Sequence, residues 1–201
     1  MTADSKTVRV FVALDLPDLA KAVLRQTVQE LESVLPAGVR WVDPGGIHLT
    51  LKFLGDVDTG SVDLLLGAMD KAARKFGTRS FPLSLSALGV FPNAREPRVL
   101  WAGVEGDLEA LARLQLLMDE ALSEVGFARE RRPFRPHLTL GRVRDQVSQP
   151  ERKRIGEVMG KARLAGDHCW EAREIHLIRS TLTPGGAIYD SIGVKPLATA
   201  E

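Results

Sequence analysis

Two short stretches carry side chains suited to proton transfer at a phosphorus: His48-Leu49-Thr50-Leu51 and His137-Leu138-Thr139-Leu140. On a strand, residues i and i+2 share a face. His48 and Thr50 therefore point together to one side while Leu49 and Leu51 anchor the other, and His137 and Thr139 repeat the arrangement. One neutral imidazole can take a proton from water while a second, protonated one gives a proton to a leaving oxygen. Threonine hydroxyls can donate to non-bridging phosphoryl oxygens, where negative charge builds. With 4 His in the chain, one His-x-Thr is a weak motif and a lone strand histidine is usually structural; a repeated pair is much stronger evidence. A zinc site on His48 and His137 is disfavoured, because neither copy has a Cys or carboxylate at ligand spacing. His168 and His176 flank Cys169 at no recognised spacing and read as structural or surface residues.

The elements around the motifs also repeat. Residues 9–16 read as a strand, 18–35 as an amphipathic helix ended by Pro36-Ala37-Gly38, and 40–42 as a short strand before the turn Asp43-Pro44-Gly45-Gly46. Residues 48–54 alternate apolar and polar, and a helix is expected over 60–76. Strands at 81–91 and 98–104, a helix over 108–125 and a strand at 136–143 follow. A helix near 149–163 and strands near 174–182 and 188–194 complete the chain. The two HLTL segments lie 89 residues apart (from 48 to 137). The same ungapped offset pairs Arg9-Val10 with Arg98-Val99, Ala13 with Ala102, Asp18-Leu19 with Asp107-Leu108 and Gln26 with Gln115. The strands near 81–91 and 174–182 extend the two copies. Duplication is the better reading. The expected fold is α+β, a duplicated two-lobed α/β fold with pseudo-two-fold symmetry. Antiparallel-rich sheets would line a central cleft with helices outside, and residues 1–201 would form a single domain.

Composition bounds the partners. Of 201 residues, 27 are basic and 26 acidic, for a net charge of +1. That excludes a strongly basic nucleic-acid coat, so a polyanion must meet a local patch. A single cysteine, Cys169, excludes an internal disulfide framework and suits a reducing cytoplasm. Met1–Lys6 lead into no secretory apolar stretch, and the run 10–14 is too short to span a bilayer. A cytoplasmic monomer with no membrane association is expected.

The concentrated basic run is Arg129-Glu130-Arg131-Arg132-Pro133-Phe134-Arg135. It leads directly into the second motif and could hold an RNA backbone through Arg131, Arg132 and Arg135, although such runs are usually solvated faces. Lys52 continues the His48–Thr50 face and could add positive potential. Arg142 is expected near the His137 side of the sheet if no bulge intervenes, where a guanidinium could bind phosphate bidentately. Trp41, Phe91, Trp101 and Phe134 are candidate stacking platforms. Aromatic residues on strands are more often core; Trp101 is read as core and Phe134 as the best platform.

At these residues the chain resembles the 2H phosphoesterase superfamily, and within it the bacterial and archaeal RNA 2′,3′-cyclic phosphodiesterases, also called 2′-5′ RNA ligases. The resemblance covers nearly the whole chain. It includes residues 9–15, 46–56, 98–104 and 135–142, and Leu182-Thr183-Pro184-Gly185-Gly186; the HLTL segments are its specific part. It implies hydrolysis of an RNA 2′,3′-cyclic phosphate, tRNA fragments among the candidates, to a 2′-phosphate end without metal or nucleotide cofactor. By position, His48 would protonate the departing 3′-oxygen, His137 would activate water, and Thr50 and Thr139 would hold the phosphate. The near-symmetric duplication leaves the two histidine roles interchangeable from sequence. Reverse joining through a 2′-5′ linkage is implied as a weaker activity. Two other functions stay open: a cyclic phosphodiesterase for a small nucleotide such as an ADP-ribose cyclic phosphate, and a non-catalytic RNA-binding module.

Overall fold

The structure, a computed structural model, describes residues 7–35, 37–183 and 186–197. Met1–Lys6, Pro36 of the helix-ending turn, and Pro184-Gly185 of the last resembling segment lie outside the described residues. In chain order the elements are β1 (Thr7–Leu14), α1 (Asp18–Val34), β2 (Val39–Trp41), β3 (Leu49–Asp58), α2 (Val62–Phe76), β4 (Phe81–Phe91) and β5 (Val99–Gly106). They continue with α3 (Leu108–Glu124), β6 (His137–Val143), α4 (Gln149–Lys161), β7 (Cys169–Ala172), β8 (Glu174–Thr183) and β9 (Gly186–Pro196). The one strand unforeseen in the sequence is β7, four residues pairing with β4.

The helices form where the sequence places apolar residues at helical spacing. In α1, Ala20, Leu24, Val28 and Leu31 share one buried stripe. In α2, Leu65, Met69, Ala72 and Phe76 do the same, and Gly77 ends the helix in the left-handed region at φ 70°. Asp107 caps α3 by accepting from the Ala110 amide. A capping box between Ser148 and Glu151 opens α4.

All recorded strand pairs are antiparallel. They make one curled sheet in the order β7-β4-β5-β6-β3-β1-β8-β9, with β2 added beside β6. The order is symmetric about its middle. There β3 and β6 meet through Leu49 and Leu138, each the other's counterpart at the 89-residue offset, as antiparallel strands across a two-fold axis must. A long strand after each motif copy crosses to the other half: β4 pairs with β5, and β8 with β1. The halves therefore exchange strands, where the sequence suggested that 81–91 and 174–182 each extend their own copy. The main core lies between the helices and one sheet face, from Val10, Val12 and Leu14 through Leu100, Leu138 and Leu140. On the opposite face a small cluster of Phe11, Ala13 and Ile178, flanked by Tyr189, floors the cleft.

Two of the register shifts, one beside each motif, set which motif-strand side chains reach that cleft. Between β1 and β3, Ala13 faces Thr50 and Val12 faces Lys52, so Leu51 is the extra residue of a bulge. Between β5 and β6, Trp101 faces Thr139 and Leu100 faces Gly141, so Leu140 is the extra residue. The bulges are themselves 89 residues apart. The first strands match at 88: Ala13 and Trp101 both oppose the motif threonine. The ungapped pairing of Ala13 with Ala102, and of Arg9-Val10 with Arg98-Val99, is therefore one residue out of step.

Candidate active site

Each motif histidine sits at the start of its strand, with its ring fixed by a backbone carbonyl two residues earlier. Nδ1 of His48 lies 2.7 Å from the Gly46 carbonyl oxygen, and Nδ1 of His137 lies 2.8 Å from that of Arg135. A carbonyl only accepts, so Nδ1 carries the donated proton in both rings. That leaves both Nε2 atoms for chemistry: free to accept when the ring is neutral, to donate when it is charged. Gly46 and Arg135 are again 89 residues apart, so the duplication preserves the tautomer as well as the residue.

The two rings differ in their packing. His48 stacks on Phe11 at 4.4 Å between centroids and takes the edge of Tyr189 at 5.0 Å. Tyr189 reaches this place because it rests on Gly46, where a β-carbon would stand 2.9 Å from the ring. Burial pushes the His48 imidazole below the usual 6.5; the Gly46 carbonyl and Asp15 oppose this, while Lys21 and a charged His137 reinforce it. His137 meets Phe91 edge to face at 5.1 Å, and Phe91 in turn packs on Trp101 at 5.1 Å.

His48, Thr50, Thr139 and Arg142 line one cavity of about 340 Å³, together with Phe11, Phe53 and Tyr189. His137 lines a neighbouring cavity of about 550 Å³ with Phe91, Arg132, Phe134 and Arg135; Thr50 and Phe53 form the wall common to both. The arrangement presents two imidazoles, two hydroxyls and a guanidinium along the sheet's mid-line. Among the described residues no three His, Cys, Asp or Glu side chains group to hold a metal ion.

The expected supporting residues divide. Arg142 lies five positions from His137, an odd step that unbroken alternation would send to the opposite face. The Leu140 bulge reverses the parity and turns Arg142 into the cleft, so it arrives for a reason contrary to the sequence expectation. The same kind of bulge works against Lys52. The extra residue at Leu51 turns Lys52 to the core side, 6% exposed, where it pairs with Asp119 and donates to the Ala128 carbonyl. Lys52 borders the His137 cavity, but its ammonium is spent on Asp119 and the Ala128 carbonyl rather than on the His48–Thr50 face. Arg132, Phe134 and Arg135 border the His137 cavity, whereas Arg131 is exposed outside both.

Trp41 packs against the main core. Trp101 is only half-buried and stands on the cleft side opposite Thr139, because its indole lies over Gly89, where a β-carbon would collide with it. His168 stacks near Trp170, and His176 binds Ser191, both away from the two cavities. Sequence reasoning missed Phe11, Phe53 and Tyr189. Phe11 and Phe53 carried a signal, since they share a face with Ala13 and Thr50 once the bulge is known; Tyr189 comes from β9 with none.

A curled antiparallel sheet bearing two His-x-Thr strands at its centre, rings held alike and Nε2 atoms free, defines a two-histidine phosphoesterase. The family model described as LigT like Phosphoesterase matches residues 14–101 and 104–189, and the chain belongs to that family. Its relatives include a protein named RNA 2′,3′-cyclic phosphodiesterase from Methanothermobacter thermautotrophicus, 36% identical over 190 residues, covering 93% of this chain and 97% of that one. The protein of the same name from Archaeoglobus fulgidus is 34% identical over 189 residues, covering 92% and 98%. Among solved structures, TT0787 of Thermus thermophilus superposes with a TM-score of 0.74 at 26% identity, covering 96% and 100%. Escherichia coli LigT complexed with 3′-AMP gives 0.70 at 25% identity, covering 95% and 98%.

Proposed function

We propose that this chain hydrolyses RNA 2′,3′-cyclic phosphate ends to 2′-phosphate ends, with His48 and His137 as the proton-transfer pair. The observation that carries the reading is the matched bond of each Nδ1 to a carbonyl, which leaves an Nε2 free for proton transfer on each of two strands that meet at the sheet's centre. His137 takes a proton from water as the water oxygen bonds to phosphorus. The phosphorus–O3′ bond breaks, and His48 delivers a proton to that oxygen. Thr50, Thr139 and Arg142 donate to the non-bridging oxygens as their charge grows. His137 then holds the proton that His48 lost, and exchange with solvent restores both. A 5′-hydroxyl entering in place of water would give a 2′-5′ linkage.

The basic border of Arg132 and Arg135 favours an RNA end over an isolated small nucleotide. Both imidazoles come from one chain, which suits a monomer. Fragments of cleaved tRNA carry the required end. The free thiol of Cys169 fits a reducing cytoplasm, and no described helix is long and apolar enough to cross a membrane. We take the two motif halves to act as one domain.

The test is an end-group assay in EDTA on a short oligonucleotide ending in 2′,3′-cyclic phosphate. The 2′-phosphate is the expected product. A 3′-phosphate product, or loss of activity on chelation, would contradict the reading.

The His48 environment gives a second expectation. Burial disfavours the charged form of the ring, yet a donor must be charged. The negative phosphate must therefore raise its pKa on arrival. Titrating the imidazoles by nitrogen-15 NMR should place His48 below 6.5 in the free chain and higher when a nucleoside 2′-phosphate is bound. A His48 that titrates above 6.5 unliganded, or falls on binding, would remove it as the donor.

A further inference from the structure

The short strand β2 places a second arginine beside Arg142. In the β2–β6 pairing, Arg40 lies directly opposite Arg142, with Val39 opposite Val143 and Trp41 opposite Gly141. The flanking contacts settle the face. Val39 and Trp41 pack against the main core and crowd Gly141 from that side. Arg40 therefore projects from the other side, the one on which Arg142 lines the His48 cavity. Val42, just past the end of the strand, lines that cavity as well as packing against the main core.

Directly opposite residues of an antiparallel pair stand about 4.5–5.5 Å apart at Cβ, and like charges there repel. Arg9, a neighbouring cleft arginine, is neutralised by Asp56 in a two-bond contact. Arg40 and Arg142 are in no ion pair and no side-chain hydrogen bond recorded among the described residues. Arg40 is exposed, so its guanidinium is open to a ligand. Two adjacent guanidinium groups on the cleft face, neither held by an acidic side chain, are available to bind an anion between or beside them.

We propose that Arg40 forms a second phosphate subsite beside the reacting one, and that it selects a terminal nucleotide still joined through its 5′-phosphate. This rests on the phosphodiesterase reading above. With Arg142 on the cyclic phosphate, Arg40 lies one strand spacing further out, about 4.8 Å. From there its long stem reaches the next phosphate along the chain. Arginine suits this position because its planar fork binds two phosphate oxygens at once. The subsite separates an RNA end from a bare nucleoside cyclic phosphate by a charge that only the RNA end carries.

The experiment compares adenosine 2′,3′-cyclic phosphate with the same nucleotide bearing a 5′-phosphate, on wild type, Arg40→Gln and Arg40→Lys. Wild type is expected to show the lower KM on the 5′-phosphorylated substrate. Arg40→Gln should raise that KM roughly tenfold, the scale of one charged hydrogen-bonded contact, with kcat unchanged and the bare substrate unaffected. Arg40→Lys should recover part of the preference. For an oligonucleotide with a terminal 2′-phosphate, Arg40→Gln should also flatten the log K against log salt slope by about 0.7, the loss of one phosphate contact on a single strand. A KM equal on the two substrates for wild type, or an Arg40→Gln change that is the same on both or absent, overturns the subsite while leaving the phosphodiesterase reading intact. A wild type that cleaves neither substrate, nor the oligonucleotide end, removes both.

Discussion

Replacing either His48 or His137 by alanine is expected to lower kcat by about 10²–10⁴, the usual contribution of one positioned acid or base. The loss should fall on kcat, because the phosphate is still held by Thr50, Thr139 and Arg142, which line the cavity independently of either ring. The pair works on one reaction coordinate, so the double variant should be far less damaged than the product of the two single losses. The packing adds a distinction between them. His48 fills the space between Phe11 and Tyr189, so His48→Ala also opens a gap in the cleft floor. His137 touches Phe91 by one edge, and its removal should leave stability nearly unchanged. Single-turnover rates beside thermal unfolding of both variants check this. Wild-type-like turnover in either single variant would take that residue out of the catalytic pair.

The second large effect is on stability. Lys52 and Asp119 form an ion pair in which both side chains are less than a tenth exposed, at 5% and 8%. The pair ties β3 to α3. Asp119 also accepts from the Glu130 amide, and Lys52 donates to the Ala128 carbonyl, so the start of the basic run is held by the same two residues. Removing one partner leaves the other charged, buried and uncompensated. Lys52→Ala or Asp119→Ala should therefore cost about 3–5 kcal/mol, a fall in Tm of roughly 6–20 °C for a chain of this size. Replacing both by apolar residues of similar volume, Lys52→Met with Asp119→Leu, should return most of that stability, since the buried charge is gone. Chemical denaturation of the two single variants and the double variant measures it. Single variants within about 1 kcal/mol of wild type, the ordinary scale of a surface pair, would mean that the pair does not hold the structure.

How much of this was legible in the sequence follows from the range of each interaction. The helices were readable because stripes such as Leu24, Val28 and Leu31 repeat within one turn of each other. The two motifs were readable because strand alternation is local and the 89-residue repeat is a match of the sequence with itself, needing no knowledge of strand partners. Bulges are not: nothing in Leu51 or Leu140 marks either as the extra residue, because a bulge is a property of a strand and its partner. Lys52 accordingly leaves the His48–Thr50 face that alternation gave it, and Arg142 reached the cleft face on a mistaken parity. The strand exchange of β4 and β8 and the short pairing of Cys169–Ala172 were hidden for the same reason. Tyr189 was the hardest to foresee, because its contact with His48 depends on the whole order of the sheet and on the absence of a side chain at Gly46.

A crystal structure of the chain with a dinucleotide ending in a 2′-phosphate tests the convergence of the two halves without passing through kinetics. The two Nε2 atoms should both stand within hydrogen-bond reach of that one phosphate group, from opposite sides, with a Thr50 or Thr139 hydroxyl on a third oxygen. A phosphate bound to a single imidazole, with the other ring turned toward a separate cavity, would contradict the account.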